Sequence, residues 1–336
     1  MKKFSKLIAF GLLAAMSITT FAGCGSQDKK GNNANGTGDS EDKVYRIGIC
    51  QQLEHEALDN ATEGFKQALI DKLGEDKVKF DVQNAQGEEA NCATIAAGFV
   101  SDNVDLIMAN ATSALQASSA ATADIPVLGT SVTDYATVLD IDNWNGTTGT
   151  NVTGTSDLAP LNQQADMIKE LVPGVKQVGL LYCSSEANSA YQIEKMSEYL
   201  DTLGVAYKSY SAADSNEIQP VVTKAVSECD VLYIPTDNTM ASNTEIIDNI
   251  ASPAKVAIIC GEKGLAEGCG LATLSIDYYD LGYATGEMAY EILVNGKEPG
   301  NMEIQTAKNV KKLFIESRAK ALNIIMPEGY EALVVE

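Results

Sequence analysis

Residues 47–60 read IGICQQLEHEALDN, and 131 positions later residues 178–191 read VGLLYCSSEANSAY. Each stretch passes from a short apolar segment through a polar loop into a pattern typical of the start of a helix. A second pair, VDLIMANATSALQ (104–116) and DVLYIPTDNTMA (230–241), repeats this plan at a similar offset. Any two strand–helix units look alike, but two successive units at a near-constant offset favour a duplicated lobe.

The rest of the chain from Val44 onward continues the alternation of apolar strands and amphipathic helices. Near-continuous apolar strands predict an α/β fold with parallel sheets covered by helices on both faces. About 290 residues is large for one lobe of this kind and suits two. The helical period is clearest in 57–73, which ends at Gly74, a common helix terminator. The strand candidates are YRIGIC (45–50), VKFDV (78–82), VDLIMA (104–109), IPVLGT (125–130), KQVGLLY (176–182), AYKSYS (206–211), DVLYIP (230–235), KVAIIC (255–260) and GLATLSI (270–276).

The N-terminus has the order of a secretory signal over residues 1–23: a basic region, an apolar run and small residues. Cys24 follows Ala-Gly and resembles the cysteine of a bacterial lipobox, which receives a diacylglycerol, although Phe21 departs from the usual aliphatic residue. Ordinary signal cleavage is the alternative. Residues 24–43 are rich in Gly, Asn and Ser, which predicts a flexible tether. The folded body is therefore expected outside the cytoplasm, lipid-anchored to the bacterial cell membrane.

The charge balance excludes several classes of partner. The chain has 24 basic and 46 acidic residues, a net charge of −22. Removal of residues 1–23, which hold three lysines and no acid, makes the net charge −25. Such a surface repels nucleic acid, so no nucleic-acid partner is expected. With Arg46 and Arg318 as the only arginines, bidentate clamps for phosphate or dicarboxylate ligands are nearly unavailable.

The cysteines predict neither a metal site nor a disulfide framework. Six cysteines besides Cys24 are scattered along the chain without a CxxC pair or zinc spacing. Their apolar neighbours favour buried thiols, with at most one disulfide; Cys260 and Cys269 are the nearest pair. No metal and no cofactor are expected.

A ligand site is expected where the carboxyl ends of the parallel strands meet polar loops. Thr112 and Ser113 stand where the helix after the third strand should begin. Backbone N–H groups and two hydroxyls there can bind a carboxylate without a cation. Glu186, Asp237 and Asp277 come from other loops and can pair with an ammonium group, which suits an amino acid zwitterion. Taken singly, Thr112, Ser113, Asp237 and Asp277 are equally good as helix caps.

Aromatic side chains near these loops are candidates for stacking on an aromatic ligand, although packing is their commoner role. They are Tyr135, Tyr182, Tyr191, Tyr278 and Tyr279. Trp144, the only tryptophan, is interpreted as a surface or packing residue. The full set of candidate ligand contacts is Gln51, His55, Thr112, Ser113, Ser131, Asp134, Glu186, Asn188, Asp237, Asn238 and Asp277.

His55 is the only histidine, and two glutamates flank it. It allows four interpretations: a metal ligand, a general acid/base, part of a ligand-binding loop, or a solvated turn. The chain lacks a second histidine, a nucleophile elbow, a phosphate-binding glycine loop and a metal-spaced cluster, so an enzyme is not expected. The position of His55 after the first strand makes it one lip of a cleft, and Gln51, Gln52 or His55 is expected to approach the ligand or the opposite lobe. Glu54 and Glu56 are expected to face solvent.

Several separated motifs resemble the tryptophan/tyrosine-type substrate-binding proteins of bacterial ABC transporters over about 44–336. The motifs are QLEHEALD (52–59), VTD (132–134), SDLAPLNQQ (156–164), EANS (186–189), PTDNT (235–239) and IDYYDLG (276–282). The resemblance implies a type I periplasmic-binding-protein fold, with two Rossmann-like lobes joined by a three-segment hinge. It places the first lobe at 44–150 plus 262–303 and the second at 155–260 plus 304–336. It also carries over Thr112, Ser113, Glu186, Asn188, Asp237 and Asp277 as ligand contacts.

The function that the resemblance implies is capture of an amino acid, aromatic by the same pattern, in the cleft between the lobes. Closure of the hinge on the ligand would present it to an ABC permease and its ATPase. The protein is expected to act as a monomer. Alternatives within the same fold are a receptor for another small polar ligand, such as a sugar, and a component of a sensory system.

Overall fold

The computed structural model describes residues 43–307 and 309–333. The predicted signal, tether and Cys24 lie outside these ranges. Within them, no helix combines the length and the apolar character needed to cross a membrane.

Thirteen strands and twelve α-helices alternate along the described residues. The strands are β1 (Tyr45–Gln51), β2 (Val78–Asn84), β3 (Leu106–Asn110), β4 (Val127–Val132), β5 (Val152–Ser156), β6 (Gln177–Cys183), β7 (Ala206–Ala212), β8 (Val231–Ile234), β9 (Ala257–Cys260), β10 (Ala272–Ser275), β11 (Gln305–Thr306), β12 (Lys311–Ile315) and β13 (Glu331–Leu333). The helices are α1 (Glu56–Leu73), α2 (Glu89–Ser101), α3 (Thr112–Ala121), α4 (Tyr135–Val138), α5 (Leu161–Leu171), α6 (Ala187–Leu203), α7 (Ile218–Glu228), α8 (Asn238–Ala241), α9 (Thr244–Ala254), α10 (Lys263–Gly268), α11 (Tyr278–Leu293) and α12 (Glu316–Leu322).

Two sheets define two lobes. The first sheet has the order β11-β5-β4-β3-β1-β2, and all its neighbouring strands are parallel. The second has the order β13-β12-β10-β9-β8-β6-β7; β12 pairs antiparallel with β10 and parallel with β13, so these two strands run opposite to the other five. The predicted fold of two α/β lobes with parallel sheets is confirmed.

Both faces of each sheet are buried, as the continuous apolar strands predict. In β6, Val178 and Leu180 belong to one core cluster, whereas Leu181 and Cys183 belong to another. Successive side chains of a strand point to opposite faces, so the two clusters are the helix-covered sides of one sheet.

The chain crosses between the lobes three times, and the predicted boundaries need two corrections. The crossings follow β5, β10 and β11. Residues 262–276, assigned above to the first lobe, belong to the second, because β10 pairs with β9 and β12. Gln305 and Thr306, assigned to the second lobe, pair with β5 of the first. Each of these strands ends at the carboxyl edge of its sheet, which faces the other lobe, and the chain crosses over from there.

All six described cysteines are buried and free, which leaves Cys260 and Cys269 as thiols. Trp144 is 39% exposed, in agreement with a surface position.

Candidate functional site

Loops from both lobes meet at the carboxyl ends of the strands and enclose a cavity of about 530 Å³. The first lobe contributes Gln52, Leu53 and Ser113 to its wall, and the second contributes Glu186 and Thr239. A second cavity of about 440 Å³ lies beside the crossings and is lined by residues that include Glu56, Lys263, Asp277 and Tyr278. The loops predicted from strand ends therefore do converge between the lobes.

The first lobe has strained backbone at the carboxyl ends of β3 and β4. Ala111 has φ 86° and Ser131 has φ 54°, both in the left-handed region that residues with a Cβ rarely adopt. Such outliers cost about 1–3 kcal/mol each and cluster at ligand clamps. The strain at Ala111 turns the chain directly into the first turn of α3, where Thr112 and Ser113 lie.

Two hydroxyls at these strand ends have no hydrogen-bond partner among the described residues. Thr112 Oγ1 and Ser131 Oγ are both buried and unpaired. Unpaired buried polar atoms are rare in folded proteins because each costs about 1–3 kcal/mol. These two were predicted as ligand contacts, and a ligand oxygen would satisfy them.

Of the two glutamines expected to approach the ligand or the opposite lobe, Gln52 lines the cavity and Gln51 does not. The Oε1 atom of Gln52 accepts the Ser113 N–H at 3.1 Å. Gln51 turns into its own lobe, where its Nε2 donates to Asp59 Oδ1 at 2.6 Å and its Oε1 accepts from Thr62 at 2.7 Å. Side chains alternate along a strand end, so one of two adjacent glutamines had to face away from the cleft.

Asp157, at the first crossing, is a buried carboxylate that is absent from the candidate set. It is 3% exposed, and its carboxylate accepts hydrogen bonds from Thr133 Oγ1 at 3.1 Å and from Tyr278 OH at 3.0 Å. Burial raises the pKa of Asp157 to about 6, against the opposing effect of these bonds. The position of Asp157 in the SDLAPLNQQ motif is the signal that could have identified it.

Glu186 is buried in the second lobe and holds the start of α8. Its Oε2 accepts from Asn238 N at 3.0 Å, from Asn238 Nδ2 at 2.8 Å and from Asn188 Nδ2 at 3.1 Å. Its Oε1 accepts from Thr239 N at 2.8 Å and from Thr239 Oγ1 at 2.7 Å. Five donors fill the lone-pair positions of a carboxylate, so Glu186 is a poor partner for a ligand ammonium group.

Asp237 has the geometry of a helix cap. Its Oδ1 accepts the Met240 N–H at 2.8 Å, and its Oδ2 accepts the Cys183 N–H at 2.6 Å. The side chain thus joins the end of β6 to the start of α8. Burial first, and then the nearby charge of Glu186, raise its pKa to about 7. Both oxygens are engaged with fixed backbone donors, so the capping alternative describes Asp237 better than an ammonium partner does.

Asn188 presents an unsatisfied acceptor. Its Nδ2 donates to Glu186 Oε2, and to Thr236 O at 3.2 Å, whereas its buried Oδ1 has no partner among the described residues. The donors fix the orientation of the amide, so the free oxygen is the atom left for a ligand.

Two further candidates cap helices at the surface of the cleft region. Asp134 is half-buried and accepts from Thr137 N at 3.0 Å at the start of α4. Asp277 is exposed and accepts from Asp280 N at 3.1 Å at the start of α11. Asp277 is exposed and lines the second cavity, whereas the acceptors Asp157 and Asn188 are buried.

The tyrosines divide into packing and cleft residues. Tyr135 is buried in the first lobe and donates to Thr155 O at 3.0 Å, so its proposed stacking role is wrong. Tyr279 is 39% exposed, and its ring centroid lies 6.4 Å from that of Tyr283 on α11. Tyr182 and Tyr191 are half-buried in the second lobe and stay candidates for stacking.

His55 contacts the opposite lobe. Its Nε2 lies 3.1 Å from Asn238 Oδ1. Burial lowers the pKa of His55, opposed by Asn238 and by the charges of Glu186, Asp59 and Glu56. Glu54 and Glu56 are exposed, as expected, and Glu56 accepts from Lys263 of the second lobe at 2.7 Å. In the described residues, no group of three His, Cys, Asp or Glu side chains is placed to hold a metal ion.

We expect the stability of the ligand-free protein to fall as the pH rises from about 4 to about 7. Burial raises the pKa of Asp157 to about 6 and those of Asp237 and Glu262 to about 7. The folded form therefore keeps protons that the unfolded form releases in this window, so unfolding becomes easier as the pH rises. Thermal melts followed by circular dichroism at pH 5 and pH 7.5 measure the change.

A pair of matched variants separates this effect from general charge repulsion. Glu262→Gln removes one of the three buried carboxyls, whereas Glu75→Gln removes an exposed one. Glu262→Gln should flatten the pH dependence of the melting temperature and Glu75→Gln should not. Equal slopes in the two variants would contradict the assignment to buried carboxyls.

Comparison with known proteins gives three findings. A family model for "ABC transporter substrate binding protein" matches residues 46–334. A tyrosine-binding protein from Clostridioides difficile is 35% identical over 327 residues, which cover 96% of this chain and 94% of the relative. The structure of a Streptococcus pneumonia ABC domain in complex with L-Trp is 32% identical, covers 87% of this chain and 100% of its own, and has a TM-score of 0.82.

A further relative has been solved in an open state without ligand. The ligand-free, open structure of a substrate-binding protein with adhesive properties from Clostridium difficile is 36% identical. It covers 87% of this chain and 100% of its own, with a TM-score of 0.67. By TM-score, this chain superposes better on the L-Trp complex than on the open structure, although its sequence identity with the open structure is higher.

Proposed function

The chain belongs to the family of ABC transporter substrate-binding proteins, and on that premise we propose that it binds an aromatic L-amino acid between its lobes. Members of this family are binding proteins rather than enzymes. The observation that carries the proposal is a set of unpaired buried acceptors and hydroxyls, Thr112 Oγ1, Ser131 Oγ and Asn188 Oδ1, contributed by both lobes.

The carboxylate of the ligand is assigned to the first lobe. The N-terminus of α3 carries free N–H groups and a partial positive charge, and Thr112 and Ser131 add two hydroxyl donors. Such a site binds a carboxylate without a cation. The Ser113 N–H is occupied by Gln52, so a bound carboxylate would use the other donors or displace that amide.

The ammonium group is assigned to Asp157 and Asn188. Asp157 is a buried carboxylate that accepts hydrogen bonds from two hydroxyls. A carboxylate has about four lone-pair positions, so it can accept further donors. Asn188 Oδ1 is a neutral acceptor without a partner. This assignment replaces Glu186 and Asp237, whose oxygens serve the start of α8.

The aromatic side chain is the least constrained part of the proposal. None of the four residues assigned to the zwitterion lines the cavity of about 530 Å³, although Ser113, next to Thr112, and Glu186, bonded to Asn188, do. The wall of that cavity is mostly polar, with Leu53 as its largest apolar side chain. A tyrosine-binding relative and an L-Trp complex support an aromatic ligand. Tyr182 and Tyr191 are the rings closest to the second-lobe loops in sequence.

Delivery and location complete the proposal. We assign the protein to the outer face of the membrane, held by a lipid on Cys24 and the tether 24–43. Closure of the two lobes on the ligand presents it to an ABC permease driven by its ATPase. The protein acts as a monomer. The support is the order of motifs at the N-terminus and the family membership.

A thermal-shift panel of the common amino acids tests the proposed function. We expect L-tyrosine, L-tryptophan or L-phenylalanine to raise the melting temperature by several degrees at millimolar concentration, because a ligand that binds only the folded form stabilises it. D-tyrosine is the matched control, since it has the same groups in the wrong arrangement. A panel in which no amino acid shifts the melting temperature would contradict the proposal.

A further inference from the structure

His55, the only histidine of the chain, lies where the two lobes touch. It precedes α1 of the first lobe, and its Nε2 lies 3.1 Å from Oδ1 of Asn238, the first residue of α8 in the second lobe. The two residues are 183 positions apart in the chain. Their contact is therefore made by the arrangement of the lobes and not by local structure.

The orientation of this contact is set from the second lobe. Asn238 donates through its Nδ2 to Glu186 Oε2 at 2.8 Å, so its Oδ1 must face the opposite way, toward His55. An amide oxygen accepts and does not donate. His55 must therefore carry a proton on Nε2 and donate it across the cleft.

Glu186 connects this contact to the cleft. The same Oε2 atom that orients Asn238 also accepts from Nδ2 of Asn188, whose free Oδ1 is the acceptor assigned above to the ligand. Glu186 is 4% exposed and is held in turn by Thr239 N and Oγ1. One buried carboxylate thus positions both the ligand-facing amide and the lobe-bridging amide.

We propose that His55, Asn238 and Glu186 form a closure latch, in which His55 and Asn238 make the bond between the lobes and Glu186 is the positioning residue. A contact that exists only when the lobes meet stabilises the closed form relative to the open form. It therefore slows the release of every ligand by the same factor, because it touches none of them. The latch sets affinity, whereas the cleft sets specificity.

An ion pair between the lobes provides a contrast to this hydrogen bond. Lys263 Nζ lies 2.7 Å from Glu56 Oε1, but both side chains are 40% exposed. Exposed ion pairs contribute little, since solvent screens them and two flexible side chains must be ordered. The contact of His55 with the buried Asn238 is the one expected to hold the lobes together.

Variants at His55 test the latch. We expect His55→Ala to raise the dissociation rates of L-tyrosine and L-tryptophan by the same factor, about three- to tenfold, the equivalent of one hydrogen bond. His55→Gln, whose amide can donate across the same gap, should restore most of the loss. Lys263→Ala and Glu54→Ala serve as controls and should leave the rates within about twofold of the wild type. Stopped-flow fluorescence measures these rates.

A measurement without ligand keeps the test independent of the proposed function, on which the rate measurement rests. Small-angle X-ray scattering of the ligand-free protein should show a larger radius of gyration in His55→Ala than in wild type, and no increase in Lys263→Ala. Dissociation rates that stay unchanged, or that rise for one ligand only, would overturn the latch. If no amino acid binds, the scattering result alone decides, and an unchanged radius of gyration would overturn it.

Discussion

Asp157→Asn should weaken binding of the aromatic amino acid by about 10- to 150-fold. The substitution removes the negative charge proposed to accept the ligand ammonium group, and a hydrogen bond to a charged group contributes about 1.5–3 kcal/mol. The ligand-free protein should fold normally. Thr133 and Tyr278 contact Asp157 through hydroxyls, and a hydroxyl can rotate to donate to the amide oxygen or to accept from the amide N–H₂.

Asp237→Asn is the matched control and should behave in the opposite way. The donors at Asp237 are the backbone N–H groups of Cys183 and Met240, which cannot rotate. The amide N–H₂ would face one of them and leave it unpaired, which costs about 1–3 kcal/mol of stability. We expect a lower melting temperature with affinity largely kept. Wild-type affinity in Asp157→Asn, or a larger loss of affinity in Asp237→Asn, would contradict this assignment of roles.

The pH dependence of affinity provides a second readout of the same prediction. The pKa of Asp157 is raised to about 6 by burial, so at pH 5 only about one tenth of the ligand-free protein has an ionised Asp157. Wild-type affinity should fall about tenfold from pH 8 to pH 5. Asp157→Asn should remove most of that change. Isothermal titration calorimetry at the two pH values measures it.

Gly282→Ala should destabilise the protein by about 3 kcal/mol or more, the upper end of the range for overpacking. Gly282 lies on α11 where that helix crosses α1, and a Cβ there would stand 1.9 Å from the Ala61 carbonyl oxygen. Backbone cannot rotate away as a side chain can, so the two helices would have to separate. For a body of this size the expected fall in melting temperature is about 6 °C or more.

Gly98→Ala controls for the change of residue type. Gly98 lies on the exposed side of α2, and nothing stands within 4 Å of its added Cβ. Alanine favours the helix over glycine by about 0.5–1 kcal/mol, so this variant should be slightly more stable. Differential scanning calorimetry of both variants checks the pair. A Gly282→Ala protein as stable as wild type would contradict close backbone packing between α1 and α11.

The fold could be predicted from the sequence where apolar runs are strong. The first strands of both lobes, and the helix 57–73, follow from their hydrophobic pattern, and the structure places them within a few residues. β5 reads VTGTS and was missed, because its side chains are hydroxyls and a glycine even though all five residues are buried. β10 was detected but assigned to the wrong lobe, since strand pairing between distant segments leaves no local signal.

The site could be predicted only as a set of loops. Strand-end logic predicts Thr112, Ser131 and Asn188 as contacts, and all three carry buried unpaired polar atoms. The sequence cannot tell whether a carboxylate such as Asp237 turns toward its own helix or toward a ligand, because a cap and a contact use the same residue type at the same position. Asp157 is absent from the candidate set because it lies at a crossing between the lobes, outside the polar loops that follow the predicted strands.

Calorimetric titration of the protein with L-tyrosine, tyramine and 3-(4-hydroxyphenyl)propionate tests the central claim most directly. The three share a phenol ring; tyramine lacks the carboxylate and the propionate lacks the ammonium group. If the N-terminus of α3 holds the carboxylate and Asp157 with Asn188 holds the ammonium group, L-tyrosine should bind at least tenfold more tightly than either analogue. Asp157→Asn should then weaken L-tyrosine but not the propionate. Equal affinity for L-tyrosine and the propionate in the wild-type protein would contradict the account.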